Sequence, residues 1–314
     1  MDALSQLIAA LDLRGRMDLR CLFGPGFSVP HTAVGPWRAP FHVAMAGECE
    51  VWLPAQRLAI PLRQGSLLVL PHGDAHVVRG LTAQARRGPP IRLEDSPVLP
   101  LKTNLAPSED ATLDLLCGEF EFAGRRRSSV LDALPAHIVV PFDATPGEAW
   151  LRGLVGMMAH EIEQQQPGAA TIVAGLCGTL FTLALRAHLA QQPQQRGVLG
   201  LMVQARLAPA LQAMLAEPQR AWTVDDMANL CHLSRATFAR QFQQAAGCGP
   251  IELLTTLRME LASRLLAQGG QDSATIGEAV GYRSEAAFNR AFTRHAGMTP
   301  GRFRRAASGR SLPG

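Results

Sequence analysis

The residues with the clearest chemical potential are two arginines at equivalent positions of a duplicated motif. Arg240 and Arg290 each lie between two phenylalanines, and a guanidinium can bind guanine through paired hydrogen bonds. The motif has the spacing S-x3-F-x-R-x-F-x4-G-x2-P, and it comprises Ser234, Phe238, Arg240, Phe242, Gly247 and Pro250, then Ser284, Phe288, Arg290, Phe292, Gly297 and Pro300. Such a repeat indicates two copies of one small structural unit. The pattern therefore predicts paired DNA-binding modules.

Each copy predicts a helix, a tight turn and a second helix capped by the motif serine. In the first copy, Thr223 and Asp226 have the spacing of a capping box at the start of the first helix. In the second copy, Thr275 and Glu278 are the expected capping pair. This order of elements is that of a helix-turn-helix unit.

The second helix of each copy must expose the side chains that do not join its buried phenylalanine stripe. The expected DNA-contacting residues are Arg235, Ala236, Ala239 and Arg240 in the first copy, and Glu285, Ala286, Asn289 and Arg290 in the second. Arginine can pair with guanine, asparagine can pair with adenine, and alanine can contact the thymine methyl group. The alternative is that Arg240 and Arg290 pair only with acidic residues or phosphates.

The charge distribution agrees with a nucleic-acid partner for the carboxyl-terminal part. From residue 200 onward there are thirteen arginines and eight acidic residues, whereas residues 1–199 carry seventeen basic and eighteen acidic residues. A local basic excess suits contacts with phosphates. With 47% apolar and 18% charged residues, the chain of 314 residues is expected to fold into two or three domains.

Several classes of protein are not indicated by the sequence. We expect no membrane span, because no run of about 18 uninterrupted apolar residues occurs, and we expect a cytoplasmic protein. The six cysteines include no C-x-x-C pair, so neither a secreted disulfide framework nor a zinc finger is indicated. No Ser-His-Asp arrangement, Walker loop or dinucleotide fingerprint offers a catalytic chemistry.

The amino-terminal part predicts strands followed by a pair of helices. Short apolar runs broken by turn residues extend from about Phe41 to Phe122, as in a compact all-β domain, and Gly80 to Asp110 is expected to be a long loop. The first residues predict an amphipathic helix. From about residue 148 the apolar period becomes helical, and Pro167 and Gly168 separate two helices that could supply a homodimer interface.

The carboxyl-terminal part resembles the DNA-binding domain of AraC/XylS-type transcriptional regulators. The resemblance rests on RMELASRLL at 258–266, IGEAVGYRSEAAFNRAF at 276–292 and GMTPGRFR at 297–304. It implies a seven-helix domain with two helix-turn-helix units, bound to double-stranded promoter DNA, that activates transcription with RNA polymerase as its partner. Ala236 and Ala239 stand where many members have large polar or aromatic residues, so the first unit is expected to contact fewer bases.

The β-rich part resembles a cupin. Gly65, Pro71, Gly73 and His76 form G-x5-P-x-G-x2-H, which is similar to the second half of the cupin signature. The resemblance implies a small barrel that could hold a divalent metal such as zinc on His42 and His76, with His31, Cys21 or Glu48 completing the site. Ala44 breaks the usual H-x-H pair, so histidines that are only hydrogen-bonded in the barrel mouth remain the alternative.

The same part is similar to the cupin-bearing subset of the AraC family, which includes regulators that sense reactive chlorine species. The segments that carry this similarity are PFH at 40–42, PHGDAH at 71–76 and CGEFEF at 117–122. The similarity implies that Cys21 and Cys117 are redox candidates. The other interpretation is that both are buried apolar residues, since free cysteines are commonly core residues.

The expected architecture is an α+β multidomain protein, and the expected function is a transcriptional regulator that responds to an unidentified small molecule or oxidant. The expected domains are a cupin-like barrel at 1–145, a helical hairpin and linker at 146–196, and an all-α DNA-binding domain at 197–314. Its two helix-turn-helix units are expected at about 222–246 and 273–297. The alternative function is a metal-dependent cupin enzyme with an appended helical domain.

Overall fold

The chain folds into two compact units, and each is assembled from separate stretches of sequence. The computed structural model describes residues 2–81, 89–106, 108–122, 128–142, 149–192 and 195–308. The β unit comprises the described residues of Leu13–Phe122 and Leu134–Gln191. The helical unit comprises those of Met1–Asp12, Ala123–Ala133 and Gln192–Gly314.

The strands of the β unit form two sheets. They are β1 Leu13–Phe23, β2 Ser28–His31, β3 Arg38–Ala46, β4 Glu48–Leu53, β5 Leu58–Arg63, β6 Ser66–Val69, β7 His76–Arg79, β8 Arg92–Glu94, β9 Leu101–Thr103, β10 Leu113–Phe122 and β11 Ile138–Pro141. One sheet has the order β11-β6-β3-β10-β1-β9-β8, and the other has the order β2-β7-β4-β5. The predicted all-β architecture is confirmed, although the described strands form two separate sheets and not one closed barrel.

The core of the β unit contains side chains from both sheets. Ala44 and Leu115 of the larger sheet belong to the same buried cluster as Val51 and Val78 of the smaller sheet. Because successive residues of a strand point to opposite faces, each strand contributes alternate residues to this cluster. Charged side chains such as Glu48 therefore fall on the outer face, where the pattern exposes them.

Two regions of the β unit differ from the sequence expectation. β1 and β2 precede Phe41, where the first strand was expected, and β8 and β9 lie within Gly80 to Asp110, which the sequence predicts to be a loop. Charged residues interrupt the apolar pattern of β1, and β9 is only three residues long. Both strands are stabilised by pairing with distant partners, since β1 pairs with β10 and β9 pairs in parallel with β1.

A helical hairpin covers the outer face of the larger sheet. α3 spans Ala149–Gln164 and α4 spans Ala169–Gln191, as the apolar period predicts. Phe181 of α4 packs edge-on against Phe120 and Phe122 of β10, with ring centroids 5.1 and 5.5 Å apart. Among the described residues, α4 is the single unbroken helix that is long and apolar enough to cross a membrane, and 39% of its apolar window is buried inside the protein.

The helical unit contains both helix-turn-helix units and two short elements from elsewhere in the chain. Its helices are α1 Ala3–Leu11, α2 Ser129–Asp132, α5 Gly197–Val203, α6 Ala208–Ala216, α7 Val224–Leu230, α8 Arg235–Ala246, α9 Pro250–Gln268, α10 Ser273–Ala279, α11 Glu285–Ala296 and α12 Pro300–Ser308. The first helix-turn-helix unit is formed by α7 and α8, and the second by α10 and α11. The long helix α9 joins them.

Capping side chains set the start of the first helix in each unit. At α7 the Thr223 hydroxyl accepts the N–H of Asp226 at 3.1 Å, and the Asp226 carboxylate accepts the N–H of Thr223 at 2.9 Å, which confirms the capping box. The prediction that Thr275 and Glu278 cap α10 was wrong. α10 begins earlier because the Asp272 carboxylate accepts the N–H of Thr275 at 2.8 Å.

The helices that follow the turns begin and end as the motif predicts. Ser234 and Ser284 cap α8 and α11 by accepting backbone N–H groups of the first turn. Gly247 and Gly297 end these helices in the left-handed conformation, with φ of 78° and 65°. Glycine adopts this conformation without the steric cost that a side chain would add. The serine and glycine of the motif therefore fix the length of both helices.

Candidate functional site

α8 and α11, which we call the motif helices, present equivalent faces to solvent. Phe238 and Phe242 of α8, and Phe288 and Phe292 of α11, are fully buried. Six of the residues expected to contact DNA are exposed on the opposite faces, namely Arg235, Ala236, Arg240, Glu285, Ala286 and Arg290. The other two, Ala239 and Asn289, are half-buried. The phenylalanine frame therefore places the expected residues on one accessible side of each helix.

The central arginines of the two faces are not engaged by other described residues of the protein. Arg235 forms an exposed ion pair with Asp225 at 2.9 Å. Within the described part of the chain, neither Arg240 nor Arg290 has a hydrogen-bond or ion-pair partner. Both guanidinium groups are thus available for an external acceptor. The alternative, that they pair with acidic residues of the chain, is not observed among the described residues.

The sequence pattern missed two residues on the exposed face of α11. A shallow open depression is lined by Asn289, Arg290, Thr293 and Arg294. Thr293 and Arg294 lie one helical turn beyond Asn289 and Arg290, so the four-residue spacing of a helix face would have identified them. The equivalent positions of α8 hold Gln243 and Gln244, so the two faces differ in charge as well as in shape.

A second set of candidate residues meets between the two sheets of the β unit. His31 on β2 is directly opposite His76 on β7, and the two rings are stacked with centroids 4.5 Å apart. His42 on β3 is opposite Cys117 on β10 in the other sheet. The Nε2 atoms of His42 and His76 lie 2.8 Å apart. We call His31, His42 and His76 the histidine cluster.

Hydrogen bonds define the proton positions in this cluster. The Nδ1 atom of His76 lies 3.0 Å from the carbonyl oxygen of Asp74, so this nitrogen must donate. In a neutral ring Nε2 is then an acceptor, and His42 donates to it through its own Nε2. The Nδ1 atom of His42 is left as an acceptor, and it lies 3.1 Å from the sulfur of Cys117.

The histidines of the cluster are neutral at pH 7. Burial lowers the pKa of His31 to about 4 and lowers the pKa of His42 well below its usual value. Burial also lowers the pKa of His76, although the hydrogen bond to Asp74 acts in the opposite direction. Each ring therefore has a nitrogen lone pair at physiological pH, which is the form that binds metal ions.

Cys21 and Cys117, which we call the thiol pair, are neighbours in the core. Their Sγ atoms lie 3.9 Å apart, and the two residues are 3% and 5% exposed. The hydrogen bond from Cys117 lowers the pKa of Cys21, and the positive charge of Lys102 contributes to this effect. The same hydrogen bond, together with burial, raises the pKa of Cys117 well above its usual value. Cys21 is therefore the sulfur that ionises more easily.

The cation that acts on Cys21 is not its neighbour in the sequence. The guanidinium of Arg20 binds Asp114 at 2.7 Å and Glu163 at 3.2 Å. Lys102 is paired with Cys21 through the parallel ladder between β1 and β9. Since β9 lies in a segment expected to be a loop, the sequence pattern could not have placed Lys102 beside the cysteine.

Glu48, a predicted metal candidate, lies outside the cluster. It is exposed on β4, where the alternating pattern turns Cys49 into the core instead. Burial raises the pKa of Cys49 and of Cys177 to about 12, so these thiols stay protonated. Among the described residues, the group with metal-binding geometry consists of the three histidines alone.

The geometry of the histidine cluster fits a tetrahedral metal after a small adjustment. One ligand nitrogen from each ring lies within 4.8 Å of the other two. Zinc–nitrogen bonds of about 2.0–2.1 Å in tetrahedral geometry place ligand nitrogens about 3.3 Å apart. The Nε2 atoms of His42 and His76 would separate from their present 2.8 Å, since a metal would replace the hydrogen bond between them. The three rings could therefore hold one divalent ion with a fourth position open.

Comparison with known proteins identifies a family for each of the two parts of the chain that carry these residues. A family profile described as Cupin matches residues 2–190, and one described as Helix-turn-helix domain matches residues 227–306. The chain is 30% identical to a putative AraC-like transcription regulator of Streptomyces lividans, over 97% of this chain and 98% of that protein. The chain belongs to the cupin-bearing AraC-type regulators. It is also 28% identical to the RCS-specific HTH-type transcriptional activator RclR of Escherichia coli (strain K12), over 97% of each.

As an AraC-type regulator, the protein is a DNA-binding transcription factor and not an enzyme. The alternative of a metal-dependent cupin enzyme is not favoured, because relatives that match almost the whole chain are transcription regulators. Among solved structures, an AraC-type regulator from Chromobacterium violaceum is 30% identical over 35% of this chain and 96% of that one, with a TM-score of 0.32. The AdpA DNA-binding domain in complex with a target DNA is 28% identical over 34% of this chain and 98% of that one, with a TM-score of 0.31.

Proposed function

We propose that this AraC-type regulator is a cytoplasmic activator that contacts promoter bases through α8 and α11, recruits RNA polymerase and responds to an oxidant at its thiol pair. The observation that carries the DNA-binding roles is that Arg240 and Arg290, at equivalent positions of the duplicated motif, have no partner among the described residues. α9 has 19 residues and is about 28 Å long, so it holds the two motif helices at a fixed separation. Successive major grooves on one face of DNA are about 34–36 Å apart.

The two motif helices would contact different sequences. α11 offers Asn289 and Arg290, whose side chains can pair with adenine and guanine. α8 offers Ala236 and Ala239, which can contact only thymine methyl groups, beside Arg235 and Arg240. The second unit therefore supplies more of the base discrimination, and the first unit relies more on phosphate contacts and DNA shape.

The thiol pair would sense a small two-electron oxidant such as hypochlorous acid. The Cys21 thiolate attacks the chlorine atom, which forms an S–Cl bond and releases hydroxide. The Cys117 sulfur then displaces chloride and loses its proton, so a disulfide forms and two electrons pass to the oxidant. The support is the 3.9 Å separation of the sulfurs and the lowered pKa of Cys21. Because both residues are almost fully buried, only a small oxidant could reach them.

The histidine cluster would hold one zinc ion or a similar divalent metal. Support comes from the three neutral imidazoles within bonding range of a common point and from the backbone carbonyl of Asp74, which orients His76. A metal there would bridge the two sheets, since β2 and β7 belong to one sheet and β3 to the other. Its proposed role is structural.

A second copy of the chain would cover the exposed face of the helical hairpin. Trp150 and Met157 on α3 are 75% and 52% exposed, and Ile172 on α4 is 42% exposed. No charged residue occurs between Ala169 and Leu185, which is unusual for a helix face in water. A homodimer would bury this uncharged face against its own copy through an isologous contact.

Replacing either central arginine is expected to weaken promoter binding. Arg240→Ala and Arg290→Ala should each reduce affinity by about 1–3 kcal/mol, because each removes a potential bidentate base contact. Fluorescence anisotropy with the promoter region beside the coding gene measures this loss. Arg63→Ala, which removes an exposed charge from β5, is the matched control. Wild-type affinity in both arginine variants would rule out these roles.

Removing either sulfur of the thiol pair is expected to abolish the response to hypochlorite. In the wild type, treatment should produce an internal disulfide, detected as a mass loss of two hydrogens, and a change in promoter binding. Cys21→Ser and Cys117→Ser should show neither effect, whereas Cys248→Ser, which changes a cysteine outside the pair, should behave like the wild type. A normal response in both variants of the pair would contradict the proposed sensor.

Protein prepared without an affinity tag is expected to contain about one zinc per chain, as for a site with three histidine ligands. His76→Ala should lose most of this metal, because a central ligand is removed. Glu48→Ala should retain it, because Glu48 is exposed and outside the cluster. Elemental analysis measures the content. Equal metal content in wild type and His76→Ala, including none in either, would argue against the metal site.

Placing a charge on the uncharged hairpin face is expected to dissociate the dimer. Trp150→Lys should sediment as a monomer at concentrations where the wild type is dimeric, because the lysine would be buried without a partner. Leu93→Lys is the control, since Leu93 is another exposed apolar residue, 61% exposed on β8. A monomeric wild type, or a dimeric Trp150→Lys, would show that this face is not the interface.

A further inference from the structure

The two strands that carry the thiol pair continue directly into two short helices of the helical unit. Asp12 alone separates the end of α1 from the start of β1 at Leu13. β10 ends at Phe122, and α2 is the next helix along the chain, beginning at Ser129. Leu13 and Phe122 are paired with each other, so both connections leave from the same end of the β1–β10 ladder. The chain therefore joins the cysteine-bearing strands to the helical unit at two points.

α1 is held within the helical unit by burial and by a hydrogen bond. It packs on α6, and its residues Leu7 and Leu11 are 1% and 5% exposed. Arg264 of α9 donates to the carbonyl oxygen of Ala9 at 3.5 Å. α1 therefore contacts the helix that precedes the first helix-turn-helix unit and the helix that joins the two units.

The connection from α1 to β1 is short. Asp12 alone lies between the two elements, and it ends α1 in the left-handed conformation with φ of 43°. A non-glycine residue adopts this conformation only within a narrow range. A displacement of β1 can thus be absorbed only partly at Asp12, and the rest must reach α1.

α2 is attached to α9 by a half-buried carboxylate. Glu260 of α9 accepts the backbone N–H of Ser129 at 2.6 Å and its hydroxyl at 3.1 Å. Val130 and Leu131 of α2 are buried, and α2 packs on α5. α2 is therefore fixed to the same long helix that joins the two helix-turn-helix units.

Formation of a bond between the two sulfurs requires the strands to move. Cys21 is paired with Leu115 and Cys117 with Leu19, so the cysteines are diagonal neighbours and not directly opposite. Diagonal cross-strand residues are about 7–8 Å apart, whereas disulfides join Cα atoms about 4.4–6.8 Å apart. A register irregularity between Met17 and Leu19 lies beside the pair, and such bulges are places where a strand can bend.

We propose that a disulfide between Cys21 and Cys117 displaces β1 along β10, and that α1 and α2 transmit this displacement to α6 and α9 and so change the DNA affinity of the helix-turn-helix units. The proposal rests on the oxidant-sensing function proposed above and gives it a route through the chain. It requires two arrangements of α1 and α2 that differ in their affinity for DNA, since oxidation can act on binding only through such a difference.

The test separates disulfide formation from its transmission. Three glycines inserted between Asp12 and Leu13 lengthen the connection of α1 to β1 but leave the contacts within each unit available. The same insertion between Ala55 and Gln56, in the turn between β4 and β5, is the matched control. Disulfide formation is measured by intact mass, and promoter affinity is measured for the reduced and the hypochlorite-treated full-length proteins.

The wild type and the turn control should change affinity about tenfold on oxidation, a usual size for such coupling. The Asp12–Leu13 insertion should form the same disulfide and bind DNA normally when reduced, with a change of less than about twofold on oxidation. If the insertion variant still changed its DNA affinity about tenfold on oxidation, the proposed route would be overturned, but the proposed sensor would not. A wild type that forms no disulfide would overturn both.

Hydrogen exchange of the unaltered protein provides an independent measurement. Backbone amides of α1 and α2 should exchange at clearly different rates before and after oxidation, whereas those of β5, the edge strand of the smaller sheet, should not. Unchanged exchange in α1 and α2 after complete disulfide formation would also overturn the proposed route.

Discussion

The antiparallel pairing of β1 with β10 is the interaction on which the β unit depends. The ladder runs from Leu13 and Phe122 to Phe23 and Leu113, at the interior of the larger sheet. One face of it brings the thiol pair into the core, and the other face packs on α4. Close approach is possible because Gly118 has no side chain, since an added Cβ would lie 2.3 Å from the carbonyl oxygen of Arg16. A single strand pair thus positions both the sulfurs and the helical hairpin.

Features that depend on local sequence could be predicted. The motif helices are specified by neighbouring residues, because capping serines, terminal glycines and a phenylalanine every fourth position act within one or two turns. The same local reasoning identified the exposed arginines. It failed at α10, where either Asp272 or Thr275 could cap, and the spacing alone did not decide between them.

Features that depend on pairing between distant segments could not be predicted. The residue types in the histidine cluster are visible in the sequence, but His31 and His42 meet only because two sheets stack face to face. Lys102 reaches Cys21 through a parallel ladder of three residues, which has no periodic signature. The resemblance to cupins supplied His42 and His76 but also suggested Glu48, which strand alternation places on the outer face.

The helical unit is assembled from distant stretches of the chain, and this constrains the order in which the protein can fold during synthesis. α1 packs on α6, so α1 completes these contacts only after residue 216 has been made. Strands β1 to β10 are all translated in the interval, and domains generally fold as their sequence becomes available. α1 must therefore stay unpaired while the β unit forms. Changes to the residues of α1 would consequently impair the folding of the helical unit, although most of that unit is translated after the β unit.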